Sequence, residues 1–192
     1  MSEAGIISGY AIRWSDRASI GSFLEQFDPS AFREHLRTEP DVVALWSHQD
    51  DRPLGRVSNR TLRIRPDAVG LWYTLAPDST SPDGQEAIAS VRSGLVHQVS
   101  IGFWPDEENW SWADDDTPLR TITKAELREI SLVTWPAYQD TSAHYVAPVV
   151  ADRSSSEVSK SIEMKFRSMP VANHQAAKRR IDAKQRARGI LK

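Results

Sequence analysis

The stretch Leu95-Val-His-Gln-Val-Ser-Ile-Gly-Phe-Trp104 decides how the rest of the chain is read. Val96, Ile101 and Phe103 give it the β-branched and aromatic bulk of a buried strand. Yet Ser100 stands in its middle, with Gly102 two positions on. A small hydroxyl followed by a permissive backbone fills a core poorly. It suits a nucleophile: a reactive Oγ beside a main chain that another backbone can approach closely. A buried strand serine is more often a satisfied core hydroxyl, so the reading depends on a base and an orienting acid elsewhere.

Working outward, Gln85–Gly94 carries Ala87, Ile88 and Val91 at helical spacing, with Gly94 placed to stop the helix. Pro105–Pro118 is acidic and reads as a long exposed loop or a capping hairpin, with Trp104, Trp110 and Trp112 in or beside it. Leu119–Thr134 holds one or two strands, ended by Trp135-Pro-Ala137. Towards the N-terminus, Gly5–Trp14 reads as a strand. Phe27-Asp-Pro-Ser-Ala-Phe32 marks a helix start running to about Arg37, with Asp28 as cap, Pro29 at the first position and Phe27 stapled onto Phe32. The apolar run Val42–Trp46 suggests a strand buried on both faces, followed by a polar turn over Ser47–Asp51. Pro53 and Gly55 punctuate a further turn, and the strands Gly55–Arg65 and Leu71–Ala76 look like a β-meander. The fold class expected is mainly β with short helices (α+β), in a barrel-like arrangement.

Composition sets the limits. The 192 residues suggest one domain over residues 1–150 and an appended tail over 151–192. Residues 1–150 hold 13 Lys+Arg and 22 Asp+Glu, net −9; residues 151–192 hold 11 and 4, net +7. The basic tail, rich in Ala, Lys, Arg and Gln, reads as a solvated extension or as a docking segment. With no cysteine in the chain, disulfides, cysteine-based zinc sites and thiol catalysis are excluded. No basic-then-apolar leader opens the sequence and no run approaches a membrane span, so a soluble intracellular protein is expected. His35, His144 and His174 are single histidines without ligand-spaced partners, so neither a metal nor a cofactor is expected. The seven tryptophans read as mostly core and dimer-interface material. Nucleic acid is a poor partner for so acidic a body.

Three groups fall on or beside predicted strands: Ser100 in mid-strand, His48 just after Val42–Trp46, and Glu129 within Leu127–Thr134. Serine needs a base, and imidazole is the side chain whose ordinary pKa lies nearest neutrality. A carboxylate on the far imidazole nitrogen fixes the tautomer. Such triads occur in several chain orders, so the order His, Ser, acid is admissible. Spacing alone leaves plainer readings open. His48 fits a surface turn, and Glu129 fits a solvent-facing position paired with Arg128 or Lys124. His97, three residues before Ser100, falls on the opposite strand face and reads as structural.

Five pieces together resemble the prohead maturation protease family of tailed bacteriophages. They are Phe27-Asp-Pro-Ser-Ala-Phe32, Ala44-Leu-Trp-Ser-His48-Gln-Asp50, Pro53-Leu-Gly55, Ser93-Gly-Leu-Val-His-Gln-Val-Ser100-Ile-Gly-Phe103 and Leu127-Arg-Glu129-Ile-Ser-Leu-Val-Thr134-Trp-Pro-Ala137. They stand in the family's order over roughly residues 5–145; the family more often shows Pro-Gly-Ala-Phe in the first piece. The resemblance implies a serine endopeptidase with a herpesvirus-protease-like β-barrel ringed by helices. It implies Ser100 as nucleophile and His48 as general base. Where the herpesvirus enzymes use a second histidine as third member, the matching strand here offers Glu129, with Asp50 and then Glu126 as alternatives. It further implies packaging inside the immature capsid in the host cytoplasm, or an origin in an integrated prophage. Scaffold or capsid-protein extensions would be the substrates, with frequent self-cleavage and, by analogy with the herpesvirus enzymes, a homodimer. The competing reading is a non-catalytic capsid-assembly or scaffolding protein on the same fold.

Overall fold

In the computed structural model of the protein, residues 5–14, 16–114 and 116–148 are described; the basic segment 151–192 lies outside them. In chain order the elements are β1 (Ile6–Arg13), β2 (Ala18–Ile20), β3 (Phe23–Phe27), α1 (Arg33–Arg37), β4 (Val43–Trp46), β5 (Gln49–Arg56), β6 (Leu62–Pro66), β7 (Gly70–Leu75), α2 (Pro82–Arg92), β8 (Gln98–Trp112), β9 (Pro118–Val133) and β10 (His144–Val146).

The strand β9 organises the larger sheet. The strand β8 runs antiparallel along it, from Gln98↔Val133 to Trp112↔Pro118. With that edge taken, β3 and β4 share the other, both parallel to β9. The β3 ladder covers Leu24↔Leu119 to Phe27↔Ile122. The β4 ladder covers Val43↔Glu129 to Trp46↔Leu132. β2 extends β3 and β5 extends β4. The second sheet has the order β10-β1-β7-β6, all antiparallel.

Burial follows from this layout. A one-residue register shift between Leu127 and Glu129 keeps Ala125, Leu127, Ile130 and Leu132 on one face of β9, where all are buried, and towards its C-terminal end Ser131 and Val133 on the other face are buried too. Such a strand reads as a near-continuous apolar run, as parallel-paired strands do. Ile7, Ile12, Leu71, Tyr73 and Leu75 supply the contribution of the smaller sheet. An aromatic group ties α1's approach to the core: Phe27 packs on Phe32 (ring centroids 5.2 Å), Phe103 (4.9 Å) and Tyr138 (5.4 Å).

The mainly β character with short helices is as expected, but the barrel is not. The two sheets stay open and share no ladder, whereas closure needs pairing that runs continuously from first strand to last. The alternating part of the expected meander holds, since β6 and β7 pair antiparallel, but Gly55 and Arg56 belong to β5 in the other sheet.

Local chemistry accounts for the shifted boundaries. Asp28 Oδ1 accepts from the N–H (2.7 Å) and Oγ–H (2.5 Å) of Ser30, an Asx turn that competes with helix, so α1 begins only at Arg33. Ser81 caps α2 by accepting from the Gly84 N–H at 3.1 Å, so that helix starts before Gln85. Gly94 at φ +78° follows the helix end, as its placement suggested. Pro53 and Gly55 lie within β5, where register shifts of the β4–β5 ladder accommodate the proline. The acidic stretch after Pro105 is largely strand: β8 runs on to Trp112, and just beyond it the Ala113 N–H donates to Thr117 O at 2.8 Å, next to the start of β9.

The tryptophans are not mostly core. Trp14 is buried, but Trp104, Trp110, Trp112 and Trp135 are 60, 53, 71 and 88% exposed.

Candidate active site

His48 is delivered by a strained turn. The strand β4 ends at Trp46, which pairs with Gln49, leaving Ser47 and His48 as a two-residue hairpin loop. Both have positive φ, +49° and +60°, the signature of a type I′ turn normally built from Asn-Gly. Side chains in this left-handed region cost about 1–2 kcal/mol each. Two bonds from the loop to β9 hold it: the Ser47 N–H donates to Leu132 O and the His48 N–H to Ser131 Oγ, each at 3.0 Å.

The imidazole then meets an acid from β9. His48 Nδ1 lies 2.6 Å from Glu129 Oε1. With the carboxylate ionised, Nδ1–H donates, and Nε2 keeps its lone pair for another proton. The imidazole is about half exposed and the carboxylate 14% exposed, so the acid sits beneath the ring rather than in open solvent. Glu129 Oε2 accepts from Ser131 Oγ–H at 2.6 Å. Both carboxylate oxygens are therefore engaged, which fixes its rotation.

Ser100 enters from the other side of β9. In the β8–β9 ladder it stands opposite Ser131, while Leu45 of β4 stands opposite Ser131 from the far edge. Directly opposed residues in such a ladder have Cβ atoms about 4.5–5.5 Å apart. Ser100 is 7% exposed, and its Oγ makes no hydrogen bond to His48 or to any other described residue. The preceding backbone is clamped by the segment after β9. Thr141 Oγ1 accepts from the Val99 N–H (3.3 Å), and His97 O accepts from the Ala143 N–H (2.8 Å).

Gly102 has a specific steric reason. It pairs with Glu129, and a Cβ added there would lie 2.6 Å from Glu129 Oε1. The group that approaches this open backbone is the carboxylate, not another main chain.

The structure thus brings His48 and Glu129 together and places Ser100 one strand away. It does not bring in the alternatives. Asp50 follows the turn on β5, where the ladder bulges, and is exposed without a hydrogen bond. Glu126 pairs with Trp104, two ladder positions along β8 from the Gly102 that faces Glu129, and makes no hydrogen bond to His48. Arg128 and Lys124 do not pair with Glu129: Arg128 stacks on Trp104 at 4.3 Å, and Lys124 bonds Glu34 at 3.0 Å. His97 is exposed, with Nδ1 3.4 Å from Gly94 O. His35 Nδ1 accepts from the Leu127 N–H at 3.1 Å, a structural tie between α1 and β9. Among the described residues no group of three or more His, Asp and Glu side chains is gathered as metal ligands would be.

Ser131 is the site residue that sequence reasoning passed over. The signal was its spacing: Glu129 and Ser131 are two apart on one strand and so share a face.

No curated protein sequence matches the chain significantly. Among solved structures, a KSHV protease in complex with a hexapeptide phosphonate inhibitor is similar at 12% identity and a TM-score of 0.49, covering 89% of this chain and 79% of that one. The profile of the caudovirus prohead serine proteases matches residues 1–160. The chain therefore belongs to the caudovirus prohead serine protease family.

Proposed function

We propose that the protein is a serine endopeptidase in which Ser100 is the nucleophile, His48 the general base and Glu129 the residue that orients the base. The observation that carries this reading is the 2.6 Å contact between His48 Nδ1 and Glu129 Oε1, beside the strand that presents Ser100. The missing Ser100–His48 hydrogen bond is compatible with it, because catalytic hydrogen bonds in free enzymes are often long and tighten only with substrate.

In the reaction, His48 Nε2 takes the Ser100 Oγ proton as Oγ attacks a peptide carbonyl. The imidazolium that forms is stabilised by the Glu129 carboxylate on Nδ1. The proton passes to the leaving amine, the acyl-enzyme remains on Ser100, and water activated by His48 releases it. Family membership supports capsid-protein or scaffold extensions as substrates, inside the immature capsid in the host cytoplasm.

Expression with the cognate capsid and scaffold proteins tests this. The wild-type protein trims them, and a folded Ser100→Ala variant leaves them full-length. Undiminished trimming by Ser100→Ala contradicts the assignment. A folded wild type that trims nothing and takes up no serine-directed reagent leaves the non-catalytic assembly role.

A further inference from the structure

We propose that Ser131 is a positioning residue that sets the His48 imidazole by holding its backbone and its acid partner at once; the inference rests on the triad reading above. Ser131 is fully buried in the C-terminal part of β9. A core serine needs only one acceptor for its proton, and a nearby backbone carbonyl usually serves. Here neither bond is of that kind. Oγ accepts from the His48 N–H at 3.0 Å and donates to Glu129 Oε2 at 2.6 Å.

The two bonds constrain different degrees of freedom of one ring. The first holds the backbone of a residue at φ +60°, a conformation that non-glycine residues leave readily unless held. The second occupies the carboxylate oxygen that His48 does not use, so the carboxylate cannot turn Oε1 away from Nδ1. Removing Oγ frees the turn and the acid together. Ser131 also stands opposite Ser100 across the ladder, so the element that fixes the base is the one that registers the nucleophile.

The test uses the full chain and a fluorophosphonate probe. Ser100 Oγ attacks phosphorus, the P–F bond breaks, fluoride leaves, and the serine proton passes to His48. Ser100→Ala abolishes labelling if the triad reading holds; persistent labelling at the wild-type rate removes that reading and not merely this inference. With labelling confined to Ser100, Ser131→Ala is expected to slow it by about 10–100-fold, the scale of a small misplacement of catalytic groups. It is also expected to lose or broaden the downfield proton resonance of His48 Nδ1–H. Ser131→Thr, which keeps the hydroxyl, restores both. Ser8→Ala, another buried strand serine but in the other sheet, leaves both unchanged. Should Ser131→Ala not fold, Ser131→Cys, a weaker donor, carries the same test and gives an intermediate rate. A wild-type rate and resonance in the Ala or Cys variant overturns the proposal. A loss that Ser131→Thr does not restore also overturns it, as a packing effect.

Discussion

The Glu129 carboxylate occupies the space that a side chain at Gly102 would need. A Cβ at position 102 would lie 2.6 Å from Oε1 and 3.0 Å from Cγ of Glu129. Oε1 is the oxygen that His48 contacts, so crowding at Gly102 acts on the base through the acid. Gly102→Ala is expected to lower the rate of Ser100 acylation by ~10–100-fold. Glu129 is a side chain that can yield, so the stability cost is about 1–3 kcal/mol, the range of overpacking. Acylation kinetics beside a denaturant titration check both. A wild-type rate would mean that the carboxylate can move without consequence.

Glu129→Gln keeps the shape of the acid and removes its charge. The neutral amide no longer stabilises an imidazolium, and it can hold the ring in the wrong tautomer. By comparison with orienting carboxylates generally, a loss approaching 10⁴-fold in turnover is expected, with folding retained. Asp50→Asn and Glu126→Gln, which do not reach His48, are expected to stay near the wild-type rate. Parallel kinetics of the three variants decide which acid matters.

The turn that carries His48 stores strain in Ser47 as well. Ser47 sits at φ +49°, and no hydrogen bond of its side chain accounts for the choice of serine. Ser47→Asn, a residue that tolerates this region, is expected to raise the unfolding free energy by roughly 0.5–1 kcal/mol. The His48 backbone bond to Ser131 is untouched, so activity should be unchanged. Chemical denaturation measures the gain.

Asp16 gives a pH dependence of stability. Burial, and next the negative charge of Asp140, push its pKa up to about 6 despite the nearby Arg13. The ordinary value is 3.8, so between these values the folded state holds a proton that the unfolded state releases. The stability contributed by protonated Asp16 is present below about pH 4 and lost as pH rises through about 6. Asp16→Asn removes the loss. Because Asp16 is only partly buried, screening limits the gain to about 1 kcal/mol, a Tm rise of ~2–4 °C at pH 8. Melting curves at pH 4 and pH 8 should show the difference between variant and wild type growing with pH.

Much of this was legible in the sequence. Strand positions follow largely from β-branched and apolar runs and the end of α2 from Gly94, whereas the helix starts do not: Asp28 closes an Asx turn instead of capping, and the Ser81 cap was passed over. The pairing of His48 with Glu129 was anticipated from family-like motifs, because neither residue's neighbours identify its partner. Sheet closure was not legible. Alternation along β5 and β6 is the same whether two successive strands share a sheet or, as here, divide between two. Of the two readings of the acidic stretch the hairpin holds, and the loop reading comes from Asp106, Glu107 and Glu108. In β8 they lie on a solvent-exposed strand whose backbone is satisfied by β9. The exposed tryptophans misled in the opposite sense. Trp110 rests edge-on against Phe23 (5.2 Å) and donates to Glu108 (2.9 Å), so one face is packed while most of the ring stays in water.

Ser100 as the nucleophile is the central claim, and mapping of a fluorophosphonate adduct by peptide mass spectrometry tests it most directly. The account predicts a single adduct on the peptide carrying Ser100, absent from Ser100→Ala and strongly slowed in His48→Ala. An adduct on any other residue, or labelling of Ser100→Ala at the wild-type rate, would contradict it.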